Sequence, residues 1–270
     1  TGTRFADDAA VRRLAQRLAG SVGRRLDDAT PYVDLRLPDG TRFHAVLSPL
    51  SRPGTVISLR VPRGRVFSVP ELHEHGTVNA DAASLLRRLV SARLAFLVSG
   101  GTGSGKTTLL SALLSLVDPR HRMVIVEDAS ELRPDHPHVV GLESRPANVE
   151  GAGEVPMRVL VRQALRMRPD RLVVGEVRGD EVTDLLAAMN TGHEGGCGTL
   201  HANSAADVPA RVEALAMAAG MSQDAAHSQL ASAVDAVVHL ARGPDGRRRV
   251  AEVAVLGRGP SGRVRAEPAL

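Results

Sequence analysis

An eight-residue segment has the residue types and the spacing of a phosphate-binding loop. It reads Gly100-Gly101-Thr102-Gly103-Ser104-Gly105-Lys106-Thr107 and matches the pattern G-x-x-x-x-G-K-[ST]. Glycines let backbone N–H groups close around a phosphate, and a following helix adds its positive dipole end. Lys106, the only lysine in the chain, would reach the β- and γ-phosphates, and the Thr107 hydroxyl would ligate Mg²⁺. The predicted nucleotide-binding residues are Gly101, Thr102, Gly103, Ser104, Gly105, Lys106, Thr107 and Thr108.

Three further segments place a carboxylate or an imidazole at the end of an apolar strand. The runs 123–126, 172–175 and 198–200 are followed by Glu127, Glu176 and His201, respectively. The carboxyl ends of parallel strands meet at one edge of a sheet. There Glu127 would orient and deprotonate a water, Glu176 would hold the water shell of Mg²⁺, and His201 would bind a γ-phosphate oxygen. The alternatives are acids that are merely solvated and a structural histidine.

Alternating helices and short apolar strands would position these residues. Helices are predicted at 81–93, 107–117, 156–167, 180–189, 207–219 and 222–233. Strands are predicted at 94–98, 123–126, 171–174, 198–201, 236–240 and 250–255, with a long loop from Pro134 to Gly153. Continuously apolar strands between helices indicate an α/β fold with a mostly parallel sheet covered on both faces.

Residues 1–66 are predicted to form a separate, small α+β domain. Apolar residues at helical spacing indicate a helix over 6–19, and alternating apolar and polar residues indicate strands at 33–37, 43–47 and 56–61. A linker with proline and glycine follows near 62–70. The larger domain is therefore predicted to span 67–270.

Composition excludes several classes of protein. A single cysteine, Cys197, excludes a disulfide framework and a zinc module built from cysteines. The chain has no Trp, one Tyr and four Phe, which disfavours a binder of single-stranded nucleic acid because such proteins stack bases on aromatic side chains. No apolar stretch approaches the roughly 18 residues of a membrane span, and no signal peptide is predicted. We therefore expect a soluble, cytosolic protein.

Charged residues outside the strand ends leave alternatives open. Arg158, Arg162 and Arg166 share one face of a predicted helix. That face is either a functional stripe, at a subunit interface or facing phosphate, or simply a solvated surface. Segment 242–270 carries seven arginines against Asp245, Glu252 and Glu267. A solvated tail is favoured there over a surface for acidic lipid or nucleic acid.

Histidines give weaker signals. His136 and His138 have short metal-ligand spacing but no cysteine partner, so zinc is disfavoured. His193 follows a glycine-containing segment and is predicted to lie near the nucleotide. The guanine-selecting pattern Asn-Lys-x-Asp cannot occur, because Lys106 is the only lysine. Adenine is therefore the favoured base.

Four segments in order resemble the Walker A, Asp, Walker B and His boxes of the secretion-ATPase superfamily, which powers type II and type IV secretion and type IV pili. They are 100–107, 124–131, 173–179 and 199–203. Segments 39–42, 165–170 and 189–193 resemble the tight-adherence (Tad/Flp) pilus branch, called CpaF- or TadA-like. The resemblance extends from about Arg24 to Val255. The tetracysteine module of type II members is missing, which favours the Tad or conjugation branches, while Gly196-Cys197-Gly198 departs from the family pattern.

The resemblance implies a RecA-like motor domain that uses ATP and Mg²⁺. It makes Glu127 the catalytic base, Glu176 the Walker B acid and His201 the sensor. Arg178 matches the Walker B arginine. Arg42 and Arg60 match N-domain arginines that approach the phosphates, and neither has an evident ion-pair partner at local spacing.

The resemblance also implies a machine around the chain. It predicts a homo-hexameric ring at the cytoplasmic face of the inner membrane, acting on a membrane platform protein, with no transmembrane segment and no direct nucleic-acid binding. The predicted function is ATP hydrolysis that drives Tad/Flp pilus assembly or type II/IV secretion. The alternatives are a nucleic-acid translocase, a conjugation-associated ATPase and a nucleotide-sensing scaffold without turnover.

Overall fold

The chain divides after Arg65 into two units, Thr1–Arg65 and Val66–Leu270. The computed structural model describes residues 2, 4–61, 65–148, 151–192 and 194–270. Two residues of the predicted linker, Pro62 and Gly64, lie outside the described residues, and so does His193. Within those ranges, no helix is both long and apolar enough to cross a membrane.

The smaller unit places one helix against a three-stranded antiparallel sheet. Its elements are α1 (Asp8–Gly20), β1 (Tyr32–Arg36), β2 (Arg42–Val46) and β3 (Val56–Arg60), with the strand order β1-β2-β3. The helix begins where the Asp7 side chain accepts the N–H of Ala10 at 2.7 Å. Phe43 and Ala45 are fully buried while their strand neighbours face outward, as the two-residue period of a strand requires.

The larger unit alternates helices and strands. Its helices are α2 (Val69–Glu74), α3 (Ala80–Ser91), α4 (Lys106–Leu114), α5 (Met157–Arg166), α6 (Glu181–Met189), α7 (Val208–Ala218) and α8 (Gln223–Ala233). Its strands are β4 (Phe96–Gly100), β5 (Met123–Glu127), β6 (Val139–Glu143), β7 (Arg171–Val174), β8 (Cys197–Leu200), β9 (Ala236–Arg242), β10 (Arg248–Arg258) and β11 (Val264–Pro268). The predicted α/β class is confirmed.

One eight-stranded sheet organises this unit, in the order β11-β10-β9-β4-β8-β7-β5-β6. The six strands from β9 to β6 pair in parallel, and β10 and β11 add an antiparallel hairpin at one edge. The strand before the phosphate loop, β4, therefore lies inside the sheet between β9 and β8. The ends of β5, β7 and β8 open on the same edge as that loop.

Two buried clusters pack on the sheet, because successive residues of a strand point to opposite faces. Leu97 belongs to one cluster, with side chains of α5, α6, α7 and α8, whereas Phe96 and Val98 belong to the other, with α2, α3 and α4. Strands covered in this way have no polar face, which is why β4 and β5 are buried along their whole length.

The structure corrects the prediction at both edges of the sheet. β6 lies inside the segment predicted as a loop, 134–153, and β11 lies inside the segment predicted as a solvated tail, 242–270. An edge strand is paired on one side only, so it tolerates glycine and charged residues and lacks a continuous apolar run. In β11, for example, Val264 is buried while Arg265 and Glu267 are exposed.

Two boundaries also differ from the prediction. β4 ends at Gly100, two residues beyond the predicted strand 94–98. α2 begins at Val69, inside the predicted linker, because Ser68 and Glu71 form a capping box: the Ser68 hydroxyl accepts the Glu71 N–H, and the Glu71 carboxylate accepts the Ser68 N–H.

Candidate active site

The phosphate loop runs from the end of β4 to the start of α4. Gly100, Gly103 and Gly105 have φ values of 147°, 70° and 102°, a region that side chains rarely adopt. A Cβ on Gly100 would also collide with the Leu240 backbone oxygen and the Ser104 hydroxyl. The close approach of β9 and the turn of the loop therefore explain why these positions are glycine.

Lys106 is buried at the first turn of α4. Its Nζ donates to the backbone oxygens of Gly100 at 2.9 Å and Gly101 at 3.1 Å. Burial lowers the pKa of the Lys106 ammonium; the Glu176 carboxylate raises it and Arg178 lowers it further. Backbone carbonyls of the loop thus hold the ammonium of Lys106, the only lysine of the chain, and this charge has few other partners.

A chain of polar contacts joins Lys106 to the ends of β8 and β7. Lys106 Nζ lies 3.4 Å from His201 Nδ1, and His201 Nε2 lies 2.5 Å from Glu176 Oε1. Because the ammonium only donates, Nδ1 is the acceptor and Nε2 carries the proton toward the carboxylate. Arg178 donates to the second oxygen of Glu176. The structure therefore brings together four of the sequence-predicted site residues.

Glu127 ends β5 and is buried, with 5% of its surface exposed. Its Oε1 accepts the backbone N–H groups of Glu131 and Leu132, both at 3.0 Å. Beneath the side chain lies Gly175, where a Cβ would be 2.5 Å from Glu127 Cγ. Two backbone donors and one glycine thus set the orientation of this carboxylate.

The other predicted nucleotide-binding residues occupy the loop and the first turn of α4. Gly101, Thr102 and Gly103 are exposed, and Thr107 and Thr108 are half-buried. Ser104 is buried, and its hydroxyl has no hydrogen-bond partner among the described residues. Its backbone N–H donates to the Gly101 oxygen at 3.3 Å, which closes the turn of the loop.

Arg42 and Arg60 lie opposite each other on β2 and β3 of the smaller unit. The expectation that Arg42 lacks a local partner is wrong: its guanidinium donates to both Asp34 oxygens, at 3.1 and 2.7 Å. The β1–β2 hairpin brings Asp34 diagonally across from Arg42. This hydrogen bonding lowers the pKa of the Asp34 carboxyl.

The predicted arginine stripe on α5 makes ion pairs within the unit. Arg158 donates to Asp184 at 2.7 Å and to Asp180 at 3.2 Å, and Arg162 donates to Asp184 at 2.7 Å. Arg166 contacts Gln163. These contacts tie α5 to α6, so neither a purely solvated face nor a free phosphate-facing stripe describes Arg158 and Arg162.

His136 and His138 each contact the protein. His136 Nε2 lies 3.0 Å from the Asp118 backbone oxygen, and His138 Nε2 lies 3.1 Å from an Arg122 nitrogen. In the part of the chain that the structure describes, no group of three or more His, Cys, Asp and Glu side chains is placed to hold a metal.

Sequence reasoning missed a buried histidine behind the phosphate loop. His239 of β9 contacts the Ser99 hydroxyl through Nδ1 at 2.9 Å and hydrogen-bonds the backbone of Asn203. Burial lowers the pKa of its imidazole, and this effect outweighs the carboxylates of Glu252 and Asp207, which raise the pKa. It links the strand before the phosphate loop to the segment after His201. A polar residue inside the apolar run Val237–Leu240 was the available signal.

Fold and site together define a protein with a RecA-like, mostly parallel sheet that carries the sequence pattern of a phosphate-binding loop between β4 and α4. Residues 2–266 match the family model described as type II/IV secretion system protein, and the chain belongs to this family. A Mycobacterium tuberculosis protein with a provisional conjugal-transfer name is 60% identical over 259 residues, which cover 94% of this chain and 74% of that protein. PtlH, a type IV secretion system protein of Bordetella pertussis, is 34% identical, covering 89% of this chain and 79% of its own.

Solved structures share the fold. The VirB11 ATPase of the Brucella suis type IV secretion system, crystallised with sulphate, has a TM-score of 0.58 and 28% identity, covering 92% of this chain and 81% of its own. The Legionella pneumophila ATPase DotB has a TM-score of 0.64 and 20% identity, covering 94% of this chain and 70% of its own. The second likeness supports the fold alone.

Proposed function

We propose that this protein is an ATP-hydrolysing motor of a type IV secretion or pilus-assembly machine. The observation that carries the proposal is the contact chain Lys106–His201–Glu176, which unites the phosphate loop with the ends of two neighbouring strands. A structural loop would not require a buried lysine whose charge is balanced mainly by its own backbone carbonyls. A triphosphate supplies the anion that such a lysine lacks.

The residues of the site divide the work of hydrolysis. Lys106 exchanges its carbonyl partners for β- and γ-phosphate oxygens, and Glu127, held by the N–H groups of Glu131 and Leu132, takes the proton of the attacking water. His201 touches both Lys106 and Glu176. Loss of the γ-phosphate therefore changes the partners of His201, which reports the event to the segment that follows β8.

The oxygen donors beside the loop fit Mg²⁺. The Thr107 hydroxyl stands at the first turn of α4, and the Glu176 carboxylate stands at the end of β7; hydroxyl and carboxylate oxygens are the ligands that Mg²⁺ prefers. Thr107 would bind the ion directly and Glu176 through water. When bound, Mg²⁺ neutralises negative charge on the phosphates.

Membership of the family supports a proposal about the partners. We infer a homo-hexameric ring that pushes on an inner-membrane platform protein from the cytoplasmic face. Arg42 and Arg60 would approach the γ-phosphate, which would make closure of the smaller unit depend on ATP. Two branches are candidates: the Tad/Flp pilus branch, supported by segments 39–42, 165–170 and 189–193, and conjugal transfer, supported by relatives such as TrbB of Rhizobium radiobacter at 34% identity.

Three variants test the enzymatic proposal. Lys106→Ala should abolish Mg²⁺-dependent ATP hydrolysis, because it removes the cation facing the phosphates. Glu127→Gln keeps an oxygen for the two N–H donors but removes the base, so ATP binding should persist while turnover is lost. The matched control is Glu143→Gln, at the neighbouring position on β6, which should hydrolyse ATP like the parent. Parental turnover in Glu127→Gln would refute the assigned base.

Assembly has its own test. If each pocket is completed by a neighbouring subunit, activity per subunit should rise with protein concentration over an about hundredfold range. Light scattering in parallel should show a ring at the active concentrations. Constant activity per subunit together with a monomer would contradict the ring.

A further inference from the structure

The first residue of β10, Arg248, lies against the phosphate loop. β9 pairs in parallel with β4, with Leu240 opposite Gly100, so the hairpin that follows β9 emerges at the edge of the sheet where the loop begins. Arg248 opens β10 across from Arg242. A Cβ on Gly105 would lie 3.4 Å from Arg248 Cδ, an ordinary van der Waals distance. The stem of Arg248 therefore lies beside the glycine that precedes Lys106.

The arginines of this hairpin differ in what they contact. Arg242 donates to the Gly246 oxygen at 3.1 Å, and Arg249 forms an ion pair with Asp245 at 2.5 Å. Arg248 is exposed, and its guanidinium makes no hydrogen bond or ion pair with any described residue. A charge placed beside a phosphate site and left without a protein partner is available to an anionic ligand.

The position of Arg248 also indicates which part of a nucleotide it meets. The γ-phosphate end is marked by His201 and Glu176, which follow β8 and β7 on one side of β4. Arg248 belongs to the hairpin on the other side of β4. If the β-phosphate binds in the loop and the γ-phosphate lies on the side of His201 and Glu176, the α-phosphate and the nucleoside lie on the opposite side of the β-phosphate, where the hairpin stands.

We propose that Arg248 is a nucleotide-binding residue that contacts the nucleoside diphosphate portion common to ATP and ADP. This inference rests on the proposed nucleotide site and adds to it a residue from outside the family motifs noted above. Its contribution should be the same before and after hydrolysis, because it does not face the γ-phosphate. Arg248 would therefore set affinity and leave the chemical step unchanged.

Calorimetric titration with ATP and with ADP tests this inference, alongside steady-state hydrolysis. Arg248→Ala should weaken the binding of both nucleotides about tenfold, the size of one charge-assisted hydrogen bond, and raise KM by the same factor. Its kcat should stay within about twofold of the parent value. The variant should melt at the parental temperature, because the side chain has no described hydrogen-bond or ion-pair partner to lose.

The matched control is Arg249→Ala, which removes a neighbouring exposed arginine that is already paired with Asp245 and should leave both affinities unchanged. Parental ADP affinity in Arg248→Ala, whatever happens to ATP, would overturn the inference. A parent protein that binds both nucleotides without hydrolysing ATP would refute the proposed motor and leave the test of Arg248 intact. If the parent protein hydrolyses ATP and Arg248→Ala keeps the parental KM, the inference about Arg248 is refuted while the proposed motor stands.

Discussion

Gly175 lies directly beneath the side chain of Glu127: a Cβ at Gly175 would lie 2.5 Å from Glu127 Cγ and 3.0 Å from the carboxylate oxygen Oε1. Gly175 follows β7 directly and donates its N–H to the Val126 oxygen at 2.8 Å. The residue before Glu176 thus determines where the proposed base, Glu127, can lie. Because position 175 has a hydrogen atom instead of a side chain, Glu127 at the end of β5 can lie against the residue that precedes Glu176.

Gly175→Ala should therefore displace Glu127 and slow hydrolysis. Misplacing a catalytic group by about 1 Å can reduce the rate by about a hundredfold, and we expect kcat to fall by at least about tenfold. ATP affinity should stay within about twofold, because the substitution does not touch the phosphate loop. Single-turnover hydrolysis and calorimetric titration measure the two quantities.

The control for this experiment is Gly141→Ala on β6, another strand of the same sheet, where a Cβ would meet nothing within 4 Å. It should hydrolyse ATP at the parental rate. Equal losses in both variants would mean that alanine in the sheet disturbs the fold in general, and parental kcat in Gly175→Ala would show that Glu127 tolerates displacement.

Arg42 and Arg60 are predicted to act on the nucleotide. Arg42→Ala and Arg60→Ala should fold, keep most of their ATP affinity and lose about 10³-fold or more in turnover, the effect of an arginine on a transferring phosphoryl group. Lysine should rescue poorly, because it lacks the planar fork. Hydrolysis assays at saturating ATP check this, and near-parental turnover in both alanine variants would contradict it.

Asp34→Asn separates the two possible roles of Arg42. The variant breaks the exposed ion pair, which is worth roughly 0.2–1 kcal/mol, and leaves the arginine in place. Turnover should therefore stay near the parental value. If Asp34→Asn loses as much activity as Arg42→Ala, the ion pair itself, and not a contact with phosphate, is what hydrolysis requires.

Acidification should destabilise the larger unit through His239. Burial lowers the pKa of this imidazole from its ordinary value of 6.5, so below about pH 6.5 the unfolded chain takes up a proton that the folded chain resists. The free energy of unfolding should fall as the pH drops from there toward the lowered pKa. In His239→Asn this contribution is absent, and the profile should be flatter. Urea titrations between about pH 7 and pH 5 measure it; parallel profiles would contradict the prediction.

Cys197 should react with thiol reagents only when the sheet opens. The side chain is fully buried, and burial raises the pKa of the thiol to about 12, so almost no thiolate exists at neutral pH. Because this is the only cysteine, labelling reports β8 alone. Native protein should label far more slowly than the urea-unfolded chain, and added ATP should slow the labelling of native protein further. Rapid labelling of native protein would contradict the buried position.

The sequence alone determined the parts of the site that depend on local backbone chemistry. A phosphate loop needs glycines at positive φ, then a lysine and a hydroxyl at the start of a helix, so the segment from Gly100 to Thr107 is recognisable without knowing what surrounds it. Central parallel strands are apolar throughout because both faces are covered. That is why the strands that end at Glu127, Glu176 and His201 could be predicted.

Only the tertiary structure decided which residues meet across the chain. Strand order places Glu176 and His201 on one side of β4 and Arg248 on the other. The register of the β1–β2 hairpin places Asp34 diagonally across from Arg42, with which it forms an ion pair. Such contacts depend on register and on pairing between distant segments, which leave no local pattern. The edge strands β6 and β11 escaped prediction for the same reason: each is a strand because a neighbour supplies hydrogen bonds, while its own residues carry little apolar periodicity.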